Sequence, residues 1–97
     1  IMTELHKRGW AYVHSAFGKK TTSTPGAPDF IIYGEGRFID GQQKERRYRK
    51  VWTIECKTKD GILSGNQQEF IGKARAVGHE IQIVQSFKQF LDILNEP

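Results

Sequence analysis

The chain has 97 residues, 37% hydrophobic and 27% charged, which suits one compact core and not two. No apolar run is long enough to span a bilayer, and no basic-then-apolar leader opens the chain. One cysteine, Cys56, allows no internal disulfide, and a reducing, cytoplasmic setting without a membrane partner is expected. His6, His14 and His79 are too scattered for a zinc site and read as structural or surface residues. The net charge of +4 favours an anionic partner. Lys44, Arg46, Arg47, Arg49 and Lys50 face only Glu45 within their segment, so this segment alone equals the whole net excess. It reads either as a solvated basic loop or as a contact for phosphates, with Tyr48 placed to stack on a base or sugar.

Ile1, Met2 and Leu5 have the spacing of one helical face, and Lys7-Arg8-Gly9 has the composition of a helix end. The sequence thus opens near the end of a helix and on Ile, which predicts further residues upstream. Residues 10–14 read as a strand, and residues 16–27, rich in Gly, Lys, Thr, Ser and Pro, as a loop that includes Lys19 and Lys20, further candidates for DNA contact. Residues 28–33 are a second strand with apolar side chains on both faces, which predicts burial on both sides. Gly34-Glu35-Gly36 is expected to break it, with brief pairing at residues 37–39 before the basic loop. Residues 51–58 alternate as a third strand, Trp52, Ile54 and Cys56 on one face and Val51, Thr53, Glu55 and Lys57 on the other. Asp60-Gly61 is a turn. Ser64 and Gln67 form a capping box for a helix whose stripe is Phe70, Ile71, Ala74 and Val77, ended by Gly78. Ile81, Ile83 and Val84 suggest a fourth strand. Ser86 and Gln89 repeat the capping pattern before Phe87, Phe90, Leu91 and Leu94. The expected fold class is α/β: a small mixed central sheet flanked by helices, in the order αβββαβ with a C-terminal helix, as one domain over residues 1–97.

Asp29 opens the second strand, and Glu55 and Lys57 share a side of the third. If these strands pair, two carboxylates and an ammonium converge at one end of the sheet. Burying them requires a compensating ion. Mg²⁺, with Mn²⁺ as a substitute, prefers such oxygens, and the Cys56 backbone carbonyl can join Asp29 and Glu55 as a ligand. The chemistry expected of that set is hydrolysis of a phosphodiester, with Lys57 orienting water or stabilising charge on the phosphate.

The strings Gly26-Ala27-Pro28-Asp29-Phe30-Ile31-Ile32, Trp52-Thr53-Ile54-Glu55-Cys56-Lys57-Thr58 and Gly61-Ile62-Leu63-Ser64-Gly65-Asn66-Gln67-Gln68-Glu69-Phe70, followed by Gly78, resemble the VRR-NUC domain, a branch of the PD-(D/E)xK nuclease superfamily. The resemblance covers residues 25–94. It implies a restriction-endonuclease-like core, Asp29 and Glu55 as metal ligands, Lys57 as the catalytic lysine, and a site role for Gln67, the glutamine of the LSxxQ motif. Gln67 is also explained by the capping box. The resemblance further implies DNA as substrate, branched or Holliday-junction-like, and a homodimer in a bacterial cell or phage-infected host. It calls for an acid on the first helix, for which Glu4, closer to Gly9 than expected, is the candidate here, with a residue upstream of Ile1 as the alternative. The stretch between Asp29 and Glu55 is longer than in compact family members, and the basic segment is the extra material. Alternatives are a nuclease domain of a larger restriction or repair protein, and a nucleic-acid-binding module that does not cut.

Overall fold

The computed structural model describes residues 1–15, 25–58 and 60–96. In chain order the elements are α1 (Met2–Arg8), β1 (Ala11–His14), β2 (Phe30–Ile39), β3 (Glu45–Cys56), α2 (Gly65–Ala76), β4 (Gln82–Val84) and α3 (Phe87–Asn95). The strands form one mixed sheet in the order β1-β2-β3-β4. β1, β2 and β3 pair antiparallel, and β4 runs parallel to β3. The expected α/β arrangement and element order are therefore present. Among the described residues no helix is long and apolar enough to cross a membrane.

Local chemistry sets the helix boundaries. Gly9 ends α1 in the left-handed region at φ 71, as a helix-terminating glycine does. Ser64 Oγ accepts the Gln67 N–H at 3.2 Å while Gln67 Oε1 accepts the Ser64 N–H at 2.8 Å, the reciprocal capping box the sequence predicts. α3 departs from that pattern. Ser86 Oγ accepts the Gln89 N–H, but Gln89 Oε1 accepts from Gln85 N–H, one residue earlier.

Alternation along the strands divides the sheet into two faces. Phe30, Ile32, Trp52 and Ile54 join Leu5 of α1, Val84 of β4, and Phe90 and Leu94 of α3 in one buried cluster, so α1 and α3 cover this face. α2 reaches the opposite face. The second face is not sealed as the sequence predicted: the cross-strand partners Tyr33 and Val51 are 51% and 57% exposed. Nor is the α2 stripe uniformly covered, since Ile71 is buried but Val77 is exposed. Apolar residues on both sides of a short strand are compatible with one packed face and one open one.

The largest departure lies between Gly34 and Lys50. β2 does not break at Gly34-Glu35-Gly36. It pairs with β3 without interruption from Phe30↔Ile54 to Ile39↔Glu45, so the basic segment is strand from Glu45 on and only Lys44 lies in the turn. The two glycines permit this by what they lack. A Cβ on Gly34 would enter the Trp10 ring, and one on Gly36 the Tyr48 ring. Asp40 builds the tip. Its carboxylate accepts the N–H groups of Gln42 at 2.8 Å and Lys44 at 2.9 Å, and the Arg46 guanidinium at 2.7 Å. The Lys44 amide first, then Arg46, hold the Asp40 carboxyl below its usual range. Gln43 takes φ 63 in the same turn. A twelve-residue strand is about 40 Å long, and the molecule measures 50 × 30 × 27 Å.

Gly36→Ala is expected to cost about 1–3 kcal/mol of stability because the new methyl meets the Tyr48 ring. Gly41→Ala, at the open tip, should stay within about 0.5 kcal/mol. Urea unfolding of the two variants measures the difference.

Candidate active site

The register of β2 and β3 decides the site. Continuing it by one residue beyond Phe30↔Ile54 sets Asp29 across from Glu55. Asp29 is 5% exposed and Glu55 1%, the only buried charged residues among those described. Pro28 and Gly26 lead the chain into this position. Gly26 has φ 76 and lies against the Asn66 backbone at the start of α2, where no Cβ fits. The Ser15 N–H donates to the Asp29 carbonyl at 2.9 Å and the Ser15 hydroxyl to the Pro28 carbonyl, which ties the turn to the end of β1.

Each carboxylate is held by one oxygen. Asp29 Oδ2 accepts the Cys56 N–H at 2.6 Å, and Glu55 Oε1 accepts from Gln67 Nε2 at 2.7 Å. Among the described residues, Asp29 Oδ1 and Glu55 Oε2 take no hydrogen bond, and no Lys or Arg forms a salt bridge with either group. Burial, then the neighbouring Asp29 carboxylate, pushes Glu55 up to about 7, against a smaller opposing pull from Lys57. Among the described residues, only Lys57 offsets the charge of this cluster, and only in part.

Gln67 serves two ends of one helix start. Its oxygen caps α2 at Ser64, and its amide nitrogen grips Glu55. One side chain thus makes the capping bond expected from the sequence and contacts Glu55. Lys57 follows the end of β3 rather than lying within it; its N–H donates to the Val84 carbonyl at 2.8 Å, and its Nζ donates to the Ile62 carbonyl at 3.2 Å. A neutral carbonyl leaves the ammonium charge unneutralised.

The donor set fits a hard divalent cation. In a strand, one residue's N–H and C=O point to the same side. The Cys56 N–H points to Asp29, so its carbonyl also opens toward that carboxylate. Two carboxylate oxygens and one carbonyl are what Mg²⁺ takes when water and phosphate supply the rest. No group of three or more His, Cys, Asp or Glu side chains forms among the described residues, so Asp29 and Glu55 are the full acidic set here. Glu4 is not gathered with them. Its carboxylate is engaged by Arg8 at 2.9 Å and Lys7 at 3.9 Å, partners one turn along the same helix. Burial, then Asp29 and Glu55, push the Cys56 thiol up to about 11, away from the thiolate form that nucleophilic attack needs.

The basic residues named from sequence are not one surface. Alternation places Arg47 and Arg49 on the Glu55 face, and Arg46 and Lys50 on the other, where Lys50 lies 5.1 Å over the Trp52 ring. Lys44 is at the exposed tip. Lys19 and Lys20 lie outside the described residues. Sequence reading passed over Arg37, which the register places beside Arg47. Asp40-Gly41, a hairpin signal between two pairing segments, would have revealed it.

No protein-family model, curated protein or solved structure matches this chain.

Two outcomes are expected. Glu55 binds its proton more readily in the folded chain, so its contribution is complete below about pH 4.5 and lost as pH rises through about 7. In EDTA, the urea midpoint should fall over that window relative to Glu55→Gln, whose amide oxygen still accepts from Gln67; parallel profiles contradict the assignment. Ser64→Ala should cost about 1 kcal/mol through the lost cap, and Gln67→Ala more, because Glu55 loses its donor as well.

Proposed function

We propose that this domain is a Mg²⁺-dependent endonuclease that hydrolyses phosphodiester bonds of DNA, with Asp29, Glu55 and Lys57 at its centre. The observation that carries the reading is the pair of buried, mutually facing carboxylates that, among the described residues, form no ion pair and feel only the weaker pull of Lys57. A buried pair of this kind is costly without a counter-charge. Asp29, Glu55 and the Cys56 carbonyl would hold the ion; Mn²⁺ suits the same oxygens. When bound, the ion polarises the phosphate and acidifies a coordinated water.

The chain's own residues do the rest. The Cys56 N–H fixes the Asp29 carboxylate, and Gln67 fixes Glu55, so both present a chosen oxygen. Lys57 extends from the end of the same strand, forms no salt bridge among the described residues, and supplies positive charge to the phosphate as negative charge grows on it. The two strands keep these groups in register, because the hydrogen-bonded ladder continues directly beneath them. The order of elements and the mixed sheet support a restriction-endonuclease-like core. Preference for branched DNA, a homodimer, and a setting in recombination or repair rest on the resemblance to VRR-NUC domains alone.

One observation favours the alternative, a binding module that does not cut: Glu55 is 1% exposed and covered by Gln67. Cleavage separates the two. Labelled linear, flap and four-way-junction DNA is incubated with Mg²⁺, Mn²⁺ or EDTA. Metal-dependent cutting is expected, lowered by about 10²-fold or more in Lys57→Ala and Asp29→Ala. Cutting that persists in EDTA, or in both variants, contradicts the assigned site. A folded protein that cuts nothing supports the binding module.

A further inference from the structure

Residues 34–50 form an antiparallel ribbon that continues past both β1 and β4. β1 pairs with β2 only as far as Tyr33, and β4 pairs with β3 only from Ile54. From Arg37 to Arg47 nearly every residue is exposed. The ribbon holds six Lys and Arg against three Asp and Glu, which is three of the chain's four net positive charges. It is stiffened from within. Tyr48 lies over Gly36 and against Phe38 at 6.1 Å, and Asp40 binds the tip together. An exposed, rigid, cationic arm of this kind is not needed by the core, whose cluster ends at Ile32 and Trp52 on these strands.

Its cations are disposed for two sides at once. Arg37, Arg47 and Arg49 share the face of Glu55; Arg46 and Lys50 occupy the other. Arg37 and Arg47 lean on Glu35 at 3.7 and 3.9 Å, and Arg37 on Glu45 at 3.4 Å. Such exposed pairs are weak and yield to phosphate. Lys44 and Arg49 have no carboxylate partner among the described residues. Phe38 and Ile39, 45% and 62% exposed near the tip, add apolar contact. Paired strands lie about 4.8 Å apart, and the major groove of B-form DNA, about 12 Å wide, admits such a ribbon. The deep, narrow major groove of duplex RNA does not.

We propose that this arm enters the major groove of duplex DNA and holds a double-stranded segment against the Asp29–Glu55 site. The inference rests on the reading of that site as one that cuts DNA, and it specifies the substrate as DNA with a duplex arm. The ribbon is one end of the strand pair β2–β3 and the carboxylates lie at the other, Asp29 just before β2 and Glu55 near the end of β3, so a duplex gripped by the arm and laid along this face is fixed relative to the site.

Binding is read by fluorescence anisotropy in EDTA, so that nothing is cut, with a DNA duplex of about 20 base pairs and an RNA duplex of the same sequence over a salt series. Three proteins are compared: the full chain, a variant with residues 37–47 replaced by an Asn-Gly turn, and the double reversal Arg47→Glu with Arg49→Glu. The full chain should bind DNA at least about tenfold more tightly than RNA. The shortened arm should lose DNA binding. The double reversal should weaken it about tenfold or more and flatten its salt dependence. Equal binding of RNA and DNA, or DNA binding unchanged by either variant, overturns the proposal. If the shortened chain does not fold, the double reversal, made on exposed side chains, gives the same decision. The two readings fail separately: cleavage with arm-independent binding removes the arm and keeps the nuclease, and arm-dependent binding without cleavage does the reverse.

Discussion

The register between β2 and β3 is the constraint on which the rest of the molecule depends. Because side chains alternate with period two, it sends Phe30, Ile32, Trp52 and Ile54 into the core and Asp29 and Glu55 to the opposite face. A slip of one residue would exchange the two sets. The core therefore does more than stabilise the fold. Burial of four large apolar side chains against α1 and α3 fixes which carboxylates meet.

That meeting has a cost, visible in Glu55. Its carboxyl is pushed up to about 7 by burial and by Asp29. The protein offsets part of the cost with the Lys57 charge and holds both carboxylates with hydrogen bonds. Asp29 receives a main-chain N–H, and Glu55 receives the same glutamine that caps α2. Both donors are fixed by secondary structure, one by strand pairing and one by a helix start. A site held in this way keeps its geometry while retaining negative charge, the condition under which a divalent cation gains most from binding.

Much of this was legible in the sequence, for definable reasons. Alternation in residues 51–56 predicted both faces of β3, and Ser64 with Gln67 predicted the capping box, because each depends on spacing alone. Asp29 and Glu55 stand out in the sequence because carboxylates in otherwise apolar strands need a reason to be there, and the structure buries both side by side. The arm was misread because Gly34-Glu35-Gly36 and a run of cations have the composition of a loop. Their strand character comes from partners: Trp10 and Tyr48, whose rings occupy the space beside the glycines, and Asp40, whose carboxylate makes the turn. Glu4 was only the acid available on the first helix, and Arg8, four residues on, is its partner there. Which face of the sheet stays open is a tertiary property, set by where α2 lies, and no local pattern around Tyr33 or Val51 records it.

The central claim, that Asp29 and Glu55 form a cation site, is tested most directly by paramagnetic broadening. Mn²⁺ is titrated at substoichiometric amounts into ¹⁵N-labelled protein at neutral pH. The account predicts that the Cys56 backbone amide and the Gln67 side-chain amide broaden first, and that Asp29→Asn abolishes the effect. Broadening centred elsewhere, such as on Glu35 and Glu45 of the arm, or an effect untouched by Asp29→Asn, would contradict it.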